Sequence, residues 1–109
     1  MGHAIQQLAH AHNYSVVREL VGHGIGRSLH EAPNVHNYGS PGSGIKLKEG
    51  MVLAIEPMIN LGGRQVVGAR AGQVRTLDGK LSAHFEHTVA VLDNSAEILT
   101  TYKYIEKGI

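Results

Sequence analysis

Apolar residues recur at Ile5, Leu8 and Ala9, and His12 continues the same spacing. That period places them on one side of a helix over residues 3–13, and with no capping residue ahead of it the chain begins inside the helix. Ser15-Val16-Val17-Arg18-Glu19-Leu20-Val21 then reads as a strand that Gly22 ends. Gly22-His23-Gly24-Ile25-Gly26 is a glycine-dense segment around one imidazole. Residues 29–38 contain Pro33 and two histidines, the mark of an irregular or edge-like extended segment. Gly39-Ser40-Pro41-Gly42-Ser43-Gly44 is a flexible loop.

The second half of the chain changes period. Lys48-Glu49-Gly50 turns into Met51-Val52-Leu53-Ala54-Ile55-Glu56, a strong strand whose ladder Pro57 ends or marks as an edge. Residues 65–67 and 73–76 have the pattern of a hairpin across a short Gly/Ala loop, and Asp78-Gly79 is a turn. Residues 84–92 form a second apolar strand, which Asp93-Asn94 turns into a closing strand over 97–102. One helix followed by an antiparallel β-rich body predicts an α+β fold in a single domain spanning residues 1–109.

Composition narrows the chemistry. With no cysteine among 109 residues, disulfides and thiolate metal sites are excluded, and His, Asp and Glu remain as ligands. The net charge is +1 and no Lys/Arg stripe forms, which argues against nucleic acid or a membrane surface as the main partner. No apolar run reaches transmembrane length and the start lacks a signal pattern, so a cytoplasmic protein is the expectation. Fourteen glycines imply close backbone approaches, and eight histidines invite a metal reading.

Three side chains stand out against their surroundings. His23 lies between glycines, Glu56 ends a wholly apolar run, and Glu86 sits in the apolar run Phe85 to Val91. Carboxylates in buried strands are costly unless paired or bound to a cation. Strand alternation puts Glu86, Thr88 and Ala90 on one face and Phe85, His87, Val89 and Val91 on the other. One imidazole and two carboxylates converging make a hard, oxygen-rich site for a divalent ion. The bland reading is a pair of solvated strand-end glutamates and an ordinary histidine, and residue spacing alone leaves both open.

Three blocks then carry a resemblance. Val21-Gly22-His23-Gly24-Ile25-Gly26-Arg27 with Leu29-His30-Glu31 and Pro33, Ala54-Ile55-Glu56-Pro57-Met58-Ile59-Asn60, and Ser82-Ala83-His84-Phe85-Glu86-His87-Thr88-Val89 resemble, in order, motifs of the type I methionine aminopeptidases. The opening Gly2-His3-Ala4-Ile5-Gln6 is similar too, so the likeness covers nearly the whole chain except about 67–73. The resemblance implies half of a pita-bread fold, one of two pseudo-symmetric α+β halves around a dinuclear metal site. It implies metal-dependent removal of N-terminal methionine, with cobalt, manganese, iron or zinc as the ion and a peptide or nascent-chain N-terminus as substrate. It assigns His23, Glu56 and Glu86 as three of five metal ligands, Glu86 bridging and Glu56 doubling as acid/base, and His30 as a catalytic contact to the substrate. His87 is expected to pack on the opposite face. His3, His10, His12, His36 and His84 are expected to be solvated or local groups, and Ser82 resembles a residue of the family's monovalent-cation site.

The departures shape the functional expectation. By resemblance two aspartate ligands, another catalytic histidine and much of the methionine pocket come from an N-terminal half, and Asp78 and Asp93 lie outside any matching motif. Leu29 replaces an aromatic residue common in bacterial relatives, and Gly72-Gln73 stands where a tryptophan-bearing turn is expected. Met1 abuts a motif at Gly2, a start expected of a designed half-domain, a reconstructed half or a truncated gene product alike. Such a chain is expected to be impaired or inactive alone and to need a complementary N-terminal half or a second copy. The alternative is a non-catalytic metal-binding half that self-associates. A pure binding module is disfavoured, because it has no need of His23, His30, Glu56 and Glu86.

Overall fold

The computed structural model describes residues 1–106. The chain opens with α1 (Gly2–Ala11), with no side-chain cap at its start. Its apolar stripe buries Ala9, while Leu8, one residue earlier, stays 65% exposed.

The expected strand over 15–21 shrinks to β1 (Ser15–Val16). Val16 and Val17 are buried, but Arg18 and Glu19 cannot follow them into an apolar ladder. Arg18 instead lies over the Tyr38 ring, 4.9 Å from its centroid, and Glu19 pairs with Arg64 at 3.8 Å. The glycine-dense segment becomes β2 (Gly22–Gly24), and β3 (Glu31–Val35) lies at a sheet edge as Pro33 requires.

β4 (Val52–Ile55) is the expected apolar strand, and the chain resumes after Pro57 as β5 (Met58–Asn60) in a different sheet. β6 (Val66–Val67) pairs with β7 (Arg75–Thr76), confirming the hairpin, with a 3-10 turn at Ala69–Ala71 between them. The single strand expected over 84–92 is two strands. β8 (Ser82–His84) belongs to the sheet of β5, β9 (His87–Leu92) belongs to the sheet of β4, and the chain breaks at Phe85-Glu86.

β10 (Ser95–Ile98) starts earlier than expected, because a tight turn with Asn94 at φ 55° pairs Ser95 with Leu92 at once. Residues 99–102 fold over the start of β9, with the Leu99 N–H donating to the Thr88 carbonyl. A short α2 (Lys103–Glu106) follows.

All strand pairings are antiparallel. The larger sheet runs β10-β9-β4-β2-β3, and the smaller runs β1-β5-β8. Leu53 and Ala54 of the central strand β4, Val35 and Val89 form the buried centre, joined by Val16, Val17 and Ala9. The fold is thus α+β, one substantial helix with antiparallel sheets, as the residue pattern predicts. No described helix is long and apolar enough to cross a membrane.

Candidate metal centre

Register brings the candidate residues together. In the larger sheet His23 pairs with Ala54, Ala54 with Thr88, and Ile55 with His87. Laterally paired residues share a face, so His23, Ala54 and Thr88 form one row. Two residues along each of the last two strands on that face lie Glu56 and Glu86, opposite one another just past the final pair. Both sit at corners where the chain leaves one sheet for the other, and the Phe85 N–H donates to the Pro57 carbonyl at 3.3 Å between the corners. A register shift between His23 and Gly24 marks a bulge on the β3 side of β2.

One ligand atom from each of His23, Glu56 and Glu86 lies within 4.8 Å of the others. His23 and Glu56 are largely buried, with side chains 13% and 17% exposed. Glu86 is exposed, which corrects the expectation of a carboxylate buried in an apolar strand. The corner at Phe85-Glu86 takes it out of the ladder and leaves it free of the full desolvation cost.

The His23 ring is anchored through Nδ1. Nδ1 lies 2.9 Å from the Gly24 carbonyl oxygen, which can only accept, so Nδ1 carries the proton. Nε2, the other ring nitrogen, faces Glu56 Oε2, 3.3 Å away. A cation or a proton between the two atoms would hold them together. A metal-ligating imidazole held by a backbone carbonyl on its other nitrogen is the usual outer-shell arrangement. The donor set, one imidazole and two carboxylates, fits a borderline or hard divalent ion.

A model of metallopeptidase family M24 matches residues 1–93. The chain belongs to that family. It is 59% identical over 100 residues to a methionine aminopeptidase of Clostridium perfringens, covering 91% of this chain and 40% of that relative. It is 52% identical to methionine aminopeptidase 1 of Bacillus subtilis, covering 92% and 41%. A crystal structure of the methionine aminopeptidase from Rickettsia prowazekii superposes with a TM-score of 0.87 at 49% identity, over 92% of this chain and 41% of that one. The chain thus spans about 40% of the length of the relatives it matches, and its fold is half of their pita bread.

The remaining candidates fall into two groups around this M24 face. His30 is on an exposed bend beside the cluster, its ring centroid 4.1 Å from that of His23. The bend is held by the Gly26 N–H donating to the Ser28 carbonyl and the Ser28 N–H donating to Glu31 Oε2. His87 lies away from the cluster, with Nδ1 3.0 Å from Thr100 Oγ1 and its ring 5.0 Å from that of Tyr102, matching the expected packing role. His3 Nδ1 donates to the Gly39 carbonyl at 3.1 Å. His36 meets the Tyr38 ring edge-on. Asp78 holds a distant turn.

His84, expected as a solvated or local group, is exposed at 42% of its side chain, and its Nε2 also lies 3.6 Å from Glu56 Oε1. The available signal was its i, i+2 spacing to Glu86, which an unbroken strand would have put on one face.

Proposed function

We propose that His23, Glu56 and Glu86 bind a divalent ion, cobalt, manganese, iron or zinc, and that this face serves removal of N-terminal methionine from peptides or nascent chains in the cytoplasm. The observation that carries the reading is the 4.8 Å convergence of three ligand atoms in a chain of family M24. When bound, the ion acts as a Lewis acid toward the scissile carbonyl and makes water easier to deprotonate.

The protein groups do the rest. Glu56, largely buried at its corner, takes the proton of the attacking water as the carbon–oxygen bond forms. It returns that proton to the leaving amine as the carbon–nitrogen bond breaks. His30, on the exposed bend beside His23, hydrogen-bonds the substrate amide and orients it.

By the family resemblance, further ligands and pocket walls come from a complementary N-terminal half, so the chain alone is expected to be impaired or inactive. A calorimetric titration with cobalt or manganese tests the ion site, run beside a Met-Ala-Ser peptide assay. Wild type is expected to bind metal and release little or no methionine, and His23→Ala with Glu86→Ala is expected to abolish binding. Unchanged binding in the double variant removes the site. Robust release that Glu56→Gln abolishes removes the claim of impairment.

A second reading is a non-catalytic metal-binding half-fold that self-associates; the exposed surface supports a missing partner, whether a second copy or a complementary half. The chain exposes 7744 Å², against about 5900 Å² expected for a folded monomer of 11.7 kDa.

A further inference from the structure

Of the three grouped side chains, Glu86 has the least to hold it. His23 is tied through Nδ1 to the Gly24 carbonyl, and Glu56 lies against His23 and His84. Glu86 is exposed, and among the described residues no hydrogen bond or ion pair fixes its carboxylate. It stands at a corner between β8 and β9, outside either strand, so its place depends on the backbone to each side. On the near side the Phe85 N–H donates to the Pro57 carbonyl. On the far side β9 begins, and whatever anchors the first residues of β9 also sets where Glu86 sits.

That anchor is irregular. β10 runs antiparallel to β9, with Ser95 opposite Leu92 and Ile98 opposite Val89. The same register carried past the end of β10 puts Leu99 opposite Thr88 and Thr100 opposite His87. The Leu99 N–H still donates to the Thr88 carbonyl, at 2.8 Å. In a regular hydrogen-bonded pair the return bond also joins the two backbones. Here the Thr88 N–H donates instead to the Thr100 hydroxyl oxygen, at 3.0 Å. The chain turns at Leu99-Thr100 toward α2, and a side chain supplies the acceptor that the turning backbone takes away. The same oxygen lies 3.0 Å from His87 Nδ1, and the Tyr102 ring backs the His87 ring at 5.0 Å. A hydroxyl has one donor and two acceptor lone pairs, so it serves both partners at once. One oxygen thus ties down the two residues that follow Glu86.

We propose that Thr100 is a positioning residue of the metal centre, its hydroxyl pinning the start of β9 and so holding Glu86 within reach of the ion bound by His23 and Glu56. The proposal rests on the metal-site reading above. Thr88 lies in the row of His23 and Ala54 on the metal face, and His87 lies on the opposite face, so the hydroxyl grips the strand from both sides. Without it the Thr88 N–H loses its acceptor and the corner at Glu86 is free to shift. A carboxylate that wanders must be ordered again whenever an ion binds, and that ordering weakens binding. Valine has the shape of threonine without the acceptor, while serine keeps the acceptor.

The test is a Co²⁺ titration of wild type, Thr100→Val, Thr100→Ser and Thr101→Val, followed by calorimetry and by the visible absorption of bound Co²⁺. Amide hydrogen exchange is measured on the same proteins without metal. Thr101 is the control, because its hydroxyl accepts from the Lys103 N–H at the head of α2 rather than from β9. Thr100→Val should bind Co²⁺ about tenfold more weakly, as loss of a group that orients a ligand does. Its Co²⁺ spectrum should change, and its Thr88 amide should exchange faster than in wild type. Thr100→Ser should restore affinity, spectrum and exchange, and Thr101→Val should bind as wild type does. If Thr100→Val keeps the wild-type affinity and spectrum, or Thr100→Ser restores neither, Thr100 does not position Glu86. Equal losses in Thr100→Val and Thr101→Val would show only a loosened C-terminal segment and overturn the inference as well. Each of these results leaves the three-residue site standing. A wild type that takes up no Co²⁺ refutes that site, and this inference with it.

Discussion

Glu56 is the side chain on which both imidazoles converge, so its charge is the most direct lever on the site. Glu56→Gln keeps the shape and removes the negative charge that a cation needs. Metal-free, the variant should melt close to wild type. With an ion at about a hundred times its dissociation constant, wild type should gain about 2.7 kcal/mol of stability by linkage. The variant should show little of that gain. Thermal melts with and without Co²⁺ measure the difference, and an equal metal-induced shift in both proteins would count against Glu56 as a ligand. His23, Glu56 and Glu86 stood out because each interrupts a pattern, glycine-rich in one case and apolar in the others, but spacing alone left the bland reading open, and it was the family resemblance that named them as ligands. His84 interrupts nothing obvious between Ala83 and Phe85; its i, i+2 spacing to Glu86 was the one hint, and the sheet-to-sheet corner is what brings it beside Glu56.

At the scale of elements, the position of β2 depends on its glycines. A Cβ on Gly22 would land on the Ala54 carbonyl oxygen, and one on Gly24 would land on the Ala32 carbonyl oxygen. The neighbours are backbone of flanking strands, so they cannot swing away. Gly24→Ala should therefore cost at least about 1–3 kcal/mol and weaken metal binding by displacing His23, as denaturant melts and calorimetry would show. Wild-type stability would mean that the strands are less tightly spaced.

The turn at Asp78 gives a pH signature. Backbone N–H groups of Lys80 and Gly63 donate to its carboxylate and hold it below the ordinary carboxylate range. The unfolded chain then binds the proton more tightly than the folded one. This contribution is complete above the ordinary value of 3.8 and is lost as pH falls through the lower folded value. Asp78→Asn should melt lower at neutral pH, and the gap to wild type should narrow in acid. A gap that stays constant down to strongly acidic pH would show that the turn does not depend on this charge. Turn chemistry of this kind was readable as Asp-Gly. The strand boundaries were not, because local alternation carries no information on where a strand changes sheets.

The whole molecule is too open for its mass. Its Cα radius of gyration is 14.8 Å, against about 13 Å for a compact domain of this length. The surplus surface has a place. A groove between α1 and the smaller sheet is lined by Ile5, Leu8, Ile59, Leu61, Leu81 and Phe85, among others. Leu81 is 77% exposed and Phe85 60%. Contiguous apolar surface of this kind marks an interaction site or an aggregation liability. The surplus over a folded monomer, roughly 1800 Å², exceeds the approximately 800 Å² per partner that a standard interface buries. A second copy presenting the same groove would cover it with a closed, two-fold contact that leaves no edge for further growth. The chain is therefore expected to dimerise. Sedimentation across a range of concentrations should show a monomer–dimer equilibrium, and Leu81→Ser with Phe85→Ser should shift it toward monomer. If assembly and metal binding support one another, added Co²⁺ should lower the dimer's dissociation constant. A single sharp monomer boundary at every concentration, with and without metal, would rule the dimer out and leave the groove to a complementary half.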